Sequence, residues 1–248
     1  MKVIGVIPAR YASTRFPAKP LALLHGKPLL QWVVEGTRKS RLLSDVIVAT
    51  DHEDIRQVAE KAGAKVVMTA SDLPSGTDRV QAATRDLEFD VVVNIQGDEP
   101  LVTGDLIDGL AGLFLKDPRP DMATLAHPIS LEELQSANAV KVVVNHSDEA
   151  LYFSRYAIPY SRVSGAQAAQ LTGCLKHIGM YAYTKKFLQQ FCEASPAEIE
   201  IAESLEQLRA LYLGAKIKVL RVKEASLGVD TPEDLAKLEK ILRGTAWP

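Results

Sequence analysis

Cysteine is nearly absent from the 248-residue chain: Cys174 and Cys192 are the only two, and they lack the spacing of metal ligands. That excludes a disulfide framework and a zinc or iron–sulfur cluster built on thiolates. Long apolar runs are absent as well. No stretch reaches 18 consecutive apolar residues, so no membrane-spanning helix is expected. The opening apolar run, Met1–Pro8, gives way to Arg10 and Arg15 too soon for a signal peptide, which points to a cytoplasmic location. Neither sign of charge dominates: 29 Lys and Arg face 31 Asp and Glu, a net charge of −2. A broad nucleic-acid footprint needs a basic face and is not expected. Two familiar nucleotide fingerprints are also missing. There is no Gly-x-x-x-x-Gly-Lys-Ser/Thr loop, and no Gly-x-Gly-x-x-Gly follows the first strand-like run, which excludes a P-loop and argues against a nicotinamide oxidoreductase.

What is present is an ordinary globular composition, 47% hydrophobic and 24% charged, enough for a substantial core without covalent staples. Short β-branched runs alternate with helical periodicity through the N-terminal half. Lys2–Ile7, Asp45–Thr50, Lys65–Thr69 and Asp90–Gln96 read as strands; Leu29–Ser40, Asp51–Ala62 and Thr77–Leu87 read as helices. This alternation predicts an α/β fold with a mainly parallel, Rossmann-like sheet flanked by helices. After Pro128 the pattern changes. Val140–Asn145, Ala150–Ser154 and Ile178–Thr184 read as strands with few helices between them, and polar Ser161–Thr172 as a mobile loop. Glu198–Leu213 reads as one helix, Ile217–Val222 as a strand and Thr231–Leu242 as a final helix. The expected organisation is a single α/β domain: a nucleotide-binding core over about 1–127, a smaller strand-rich lobe over about 128–225, and a C-terminal helix over 226–248 returning to the core.

Parallel sheets bind ligands beyond the carboxyl ends of their strands. Three polar segments fall there: Pro8–Lys19, Asp51–Asp54 and Gln96–Glu99. The first packs Arg10, Arg15 and Lys19 with Ser13 and Thr14 into ten residues. Forked guanidinium donors, an ammonium point charge and small residues such as Ala9 that let backbone N–H groups approach an anion suit a polyphosphate chain. Asp98 follows the fourth strand, and Asp230 precedes the last helix, where it also suits an N-cap. Two such acids can hold Mg²⁺ against phosphate oxygens.

The segment Pro8-Ala9-Arg10-Tyr11-Ala12-Ser13-Thr14-Arg15-Phe16-Pro17-Ala18-Lys19-Pro20-Leu21 resembles the signature of the sugar-acid cytidylyltransferases, in particular the 3-deoxy-manno-octulosonate (Kdo) cytidylyltransferases. The resemblance recurs in order along nearly the whole chain. It takes in Val48–Asp51, Ser75–Arg79, Asn94–Leu101, Leu151–Arg155, His177–Tyr181, Leu205–Arg209 and Gly228–Asp234. It implies a nucleotide-diphospho-sugar transferase sheet and transfer of CMP from CTP to the anomeric hydroxyl of Kdo or its 8-amino analogue, releasing pyrophosphate and activating the sugar for lipopolysaccharide biosynthesis. It further implies Mg²⁺ on Asp98 and Asp230, with Arg10 and Lys19 completing the catalytic group. The nucleotide contacts it implies are Pro8, Ala9, Arg10, Ser13, Arg15, Lys19, Ser75, Gly76, Thr77 and Gln96. Those for the sugar acid are Gln96, Arg155, Arg162, His177, Tyr181, Glu206 and Gln207, and relatives of this kind are homodimers. Departures from the pattern at Tyr160, Thr184 and the run Ser195–Ser204 lie on the sugar side. The competing readings are a cytidylyltransferase for a sialic acid-like nonulosonate, separable by a substrate panel, and a non-catalytic CTP-binding homologue, which would bind without turnover.

Overall fold

The first apolar run becomes β1 (Val3–Ala9), buried along nearly its whole length, as a strand covered on both faces must be. In the computed structural model described here, which covers residues 1–12, 16–117, 119–162, 171, 173–223 and 227–243, the chain divides into two units. One is Met1–Asp108 with Ser226–Pro248; the other is Gly109–Ala225.

In the first unit β1 lies between β4 (Leu43–Thr50) and β6 (Val91–Asn94), and β5 (Lys65–Met68) forms the outer strand beyond β4; all pairings are parallel. A short hairpin, β2 (Leu23–Leu24) and β3 (Lys27–Pro28), precedes helix α1 (Leu29–Thr37). That helix buries Leu29, Leu30, Val33, Val34 and Thr37, a single face at helical spacing. Helices α2 (Glu53–Lys61) and α3 (Gly76–Thr84) start from side-chain caps, His52 and Ser75 respectively. The C-terminal helix, called α9 below (Pro232–Arg243), belongs to this unit: Val229, Leu238 and Leu242 pack with Leu24 and Leu29. Because β1, β4 and β6 run the same way, their carboxyl ends open on one edge, with Ala9 paired to Thr50 and Val6 to Asn94.

Helix α4 (Gly104–Lys116) leads the chain into the second unit. There β7 (Met122–Pro128) pairs parallel with β11 (Ile217–Arg221) and antiparallel with β10 (Leu175–Thr184). Strand β8 (Lys141–Val144) joins β10 to β9 (Ala150–Ser154), both pairings antiparallel. Helix α5 (Leu131–Gln135) carries a complete capping box on Ser130 and Glu133. Helices α6 (Lys185–Glu193), α7 (Glu198–Glu203) and α8 (Gln207–Tyr212) complete the unit. Among the described residues no helix is long and apolar enough to cross a membrane.

The mixed α/β architecture with its parallel core is as the alternation predicts. The differences have local causes. The helix expected over Glu198–Leu213 breaks at Ser204, which takes a left-handed conformation (φ 51°, ψ 49°) and lets Leu205 turn into the core. The helix α4 and the strand β7, for which the sequence pattern predicts nothing, fill the stretch between Gly104 and Pro128; three glycines dilute the helical signal of α4. α6 puts a nine-residue helix where few helices were expected. Most of the loop expected over Ser161–Thr172 lies outside the described residues.

Buried charge, not only apolar packing, holds α7 to α8. The Arg209 guanidinium donates to both Glu200 carboxylate oxygens (2.8 and 2.6 Å) and lies over the Phe191 ring at 4.6 Å. Burial raises the Glu200 carboxyl, but the bonds from Arg209 and the Ala197 N–H outweigh it and hold the group below the usual glutamate range. Its stabilisation is therefore present at neutral pH and is lost as pH falls through the folded-state value. Arg209→Ala leaves a buried, unpaired carboxylate and is expected to cost about 3–5 kcal/mol in denaturant unfolding at pH 7. The gap to the parent protein should narrow on acidification, as Glu200 becomes neutral in the variant.

Candidate active site

At the carboxyl edge of the first unit's sheet lies a cleft of about 310 Å³. The end of β1 supplies Pro8, Ala9 and Arg10; the segment after β6 supplies Gln96, Gly97 and Asp98; the start of α3 supplies Ser75, Gly76 and Arg79. Lys19 and Asp230 close the remaining side. Gly97 suits the close approach there, because a Cβ would stand 3.0 Å from the Pro8 carbonyl oxygen and the main chain would have to give.

The loop after β1 is fastened at both ends. The Tyr11 N–H donates to Asp51 Oδ1 (3.0 Å), and the Tyr11 ring stacks on His52 at 3.8 Å. Further on, the Ala18 N–H returns to the Tyr11 carbonyl (3.1 Å), with Ala18 left-handed at φ 52°. A 3₁₀ turn over Lys19–Leu21 follows. Ser13 and Arg15 lie outside the described residues.

Lys19 Nζ donates to Asp98 Oδ2 at 2.6 Å and to Asp230 Oδ1 at 3.3 Å. These acids are 132 positions apart in sequence, and the backbone explains how they meet: the Val229 N–H donates to the Asp98 carbonyl (2.8 Å), and the Val229 side chain is fully buried. The helix-capping duty that Asp230 suits in sequence falls on its neighbour. The Thr231 hydroxyl accepts from the Asp234 N–H (3.2 Å), and the Asp234 carboxylate accepts from the Thr231 N–H (3.1 Å). Burial raises the Asp234 carboxyl, but bonds from the Thr231 hydroxyl and the Asp230 and Thr231 N–H groups prevail and hold it low.

Ser75 and Gly76 border the cleft, with Ser75 also capping α3 through the Asp78 N–H (3.1 Å). Thr77 does not: it is buried, and its hydroxyl accepts from Asn94 Nδ2 at 3.4 Å. The sequence reading gave no role to Arg79, although it closes the Ser75–Arg79 motif, nor to Asp51, which opens the second polar segment. Arg79 is 2% exposed, donates to the Thr69 hydroxyl, and pairs with Asp51 at 3.4 Å. Burial lowers its pKa, Asp51 opposes that, and the nearby Arg10 charge adds to it. One carboxylate thus ties the loop after β1 to a buried cation.

The second unit gathers four of the residues expected to hold a sugar. His177 and Tyr181 have ring centroids 5.5 Å apart, and the Tyr181 hydroxyl donates to Gln207 Oε1 at 3.2 Å. Burial, and the negative charge of Glu206, push the Tyr181 phenol up. Burial alone lowers His177 to about 3, so the ring is neutral; its Nε2 lies 2.9 Å from the Thr124 hydroxyl. Arg155 is differently engaged. Its guanidinium donates to the carbonyls of Glu203 (2.8 Å), Ala137 (3.1 Å) and Ser204 (3.2 Å), clamping the break between α7 and α8. Arg162 is exposed.

Among the described residues no group of three or more His, Cys, Asp and Glu side chains is arranged for a metal ion. The two carboxylates that converge on the Lys19 ammonium form a hard-oxygen pair that already accommodates a cation. Such a pair fits Mg²⁺, which takes one or two carboxylates and completes its shell with phosphate and water.

Residues 4–217 match the Cytidylyltransferase family. The chain is 73% identical over 242 residues to a 3-deoxy-manno-octulosonate cytidylyltransferase of Bdellovibrio bacteriovorus, covering 98% of each. It is 44% identical to one of Geobacter metallireducens, covering 98% of this chain and 99% of that protein. Among solved structures, a CMP:2-keto-3-deoxy-manno-octonic acid synthetase complexed with CTP superposes with a TM-score of 0.93 at 40% identity, over 98% of this chain and 99% of the other. A 4-diphosphocytidyl-2C-methyl-D-erythritol synthase of Anaerococcus prevotii, 13% identical with a TM-score of 0.64 over 98% and 99% of the two chains, shares the fold. The chain therefore belongs to the cytidylyltransferase family of nucleotidyltransferases, in its 3-deoxy-manno-octulosonate branch.

Proposed function

We propose that the protein transfers CMP from CTP to the anomeric hydroxyl of 3-deoxy-manno-octulosonate, releasing pyrophosphate and activating the sugar for lipopolysaccharide biosynthesis. It works in the cytoplasm as a Mg²⁺-dependent homodimer. The observation that carries this reading is the meeting of Asp98 and Asp230 on Lys19 beside the loop that begins at Arg10.

The hydroxyl oxygen attacks the α-phosphorus, the bond to the β-phosphate oxygen breaks, and the hydroxyl proton is lost to solvent. Positioning and charge stabilisation dominate such a transfer, so no covalent nucleophile is called for. Asp98 and Asp230 are the residues that would hold Mg²⁺, which when bound polarises phosphoryl oxygens and lowers the pKa of a hydroxyl. Arg10 and Lys19 neutralise the departing pyrophosphate, with Arg15 assisting. Pro8 and Ala9 form the cleft floor. Ser75, Gly76 and Gln96 border the nucleoside, while Thr77 supports α3 from its buried position. Arg79 presents a buried positive charge that Asp51 keeps in place. In the second unit the neutral His177 ring, Tyr181, Glu206 and Gln207 offer donors and acceptors to a polyol, and Arg162 is the cation proposed for the sugar carboxylate.

Pyrophosphate release is expected with CTP and Kdo in the presence of Mg²⁺, and not after chelation. A panel holding Kdo, its 8-amino analogue and a nonulosonate should show turnover with the octulosonates; turnover with the nonulosonate alone would sink the substrate assignment. Asp98→Ala should lower kcat by roughly a thousandfold, as loss of a principal electrostatic element does. Asp51→Ala releases both the loop and Arg79, and should raise KM for CTP about tenfold with a smaller change in kcat. Steady-state kinetics on the two variants would check both.

A further inference from the structure

Lys19 stands where the metal is proposed to stand. Its ammonium takes Asp98 Oδ2 at 2.6 Å and Asp230 Oδ1 at 3.3 Å, with its side chain only 16% exposed. A divalent ion would need carboxylate oxygens of this same pair, at about 2.1 Å. An ammonium has three donors and no acceptor, so it cannot bridge the metal to the acids; it takes one oxygen of each carboxylate, and a divalent ion on the remaining oxygens would stand beside its positive charge. The two cations repel each other and so compete for the pair.

The competition concerns the side chain alone. The Lys19 backbone is fixed: its N–H donates to the Phe16 carbonyl (3.2 Å), its own carbonyl accepts from the Ala22 N–H (3.1 Å), and Pro20 follows. What remains is a flexible four-carbon stem swinging a single positive charge about a fixed Cα. Arg10 borders the same cleft, so a polyphosphate seated there gives the ammonium a second anionic partner.

We infer that Lys19 is a placeholder cation: it holds the two carboxylates together before substrate arrives, competes with the divalent ion for them, and gives them up when a nucleoside triphosphate draws it away. This rests on the metal reading above. It adds a consequence that metal–phosphate contact alone does not produce. Nucleotide and metal reinforce each other through the protein, because one removes the competitor of the other, and by linkage the reinforcement is reciprocal. It also explains how like charges are kept side by side: unscreened, the two acids would repel, and the ammonium between them offsets that.

The test uses Mn²⁺ as probe, with free ion counted by electron paramagnetic resonance, on the full-length protein, Lys19→Met and Lys19→Arg, with and without a CTP analogue carrying a methylene bridge between the α- and β-phosphorus. Without nucleotide, Lys19→Met should bind Mn²⁺ about tenfold more tightly than the parent, the scale expected for removing a partly screened competing charge. Lys19→Arg keeps the charge and should stay near the parent. With the analogue the advantage of Lys19→Met should shrink or reverse. Should Lys19→Met be poorly folded, Lys19→Gln gives the same comparison. The inference is overturned if the neutral variants bind Mn²⁺ no more tightly than the parent, or if Lys19→Arg tightens binding as much as Lys19→Met, which would make the effect one of packing. Failure of the metal reading itself looks different: Mn²⁺ binding in the presence of the analogue would be unchanged by Asp98→Asn.

Discussion

Two carboxylates, Asp98 and Asp230, share one ammonium, and the first unit is arranged so that they can. Neither acid is placed by its own side chain. Asp98 follows a buried strand whose turn is closed by Gly97 against the Pro8 carbonyl. Asp230 arrives because the preceding residue is both a buried apolar anchor and a backbone donor to the Asp98 carbonyl. Apolar burial and one main-chain hydrogen bond thus do the positioning, and the ionic contact is free to be exchanged. That division suits the exchange of cations proposed above.

The same economy appears on the opposite wall of the cleft. Asp51 and Arg79 are both buried, and each has a second polar partner: the Tyr11 N–H for the carboxylate, the Thr69 hydroxyl for the guanidinium. A buried pair stabilises little on its own account, because desolvation offsets attraction. Its use here is geometric, since it fastens the start of the phosphate loop to the first turn of α3. The second unit shows a parallel case at lower stakes for chemistry. Arg155 spends donors on the carbonyls of Glu203 and Ser204 at the α7–α8 break, and Arg209 on those of Phe191 and Ala194 at the end of α6, where helix ends leave carbonyls without partners.

A solved structure 40% identical to this chain and another only 13% identical share its fold. The parallel core tolerates wide change because its strands need only be apolar and β-branched. The loops at their carboxyl ends carry the residues whose spacing identifies the family.

From the sequence alone the alternation of strands and helices was legible, and with it the α/β class, since periodicity reports directly on which faces are buried. The cationic loop after β1 was legible too, because its charges are local: Arg10 and Lys19 lie within ten residues, and its position after a strand puts it at the cleft at the sheet's carboxyl edge. So were Asp98 and Asp230 as acids at element ends; their meeting followed only from the family resemblance, and how it comes about, through the Val229 anchor and Thr231 taking over the helix cap, was not legible. Only the tertiary structure turned Thr77 away from the cleft, gave Arg155 to backbone carbonyls, broke the helix at Ser204 and made Arg79 and Asp51 partners. Each of those outcomes is a competition among contacts between residues distant in the chain. Local propensity cannot score such a competition, because the competing groups are brought together only when the chain folds.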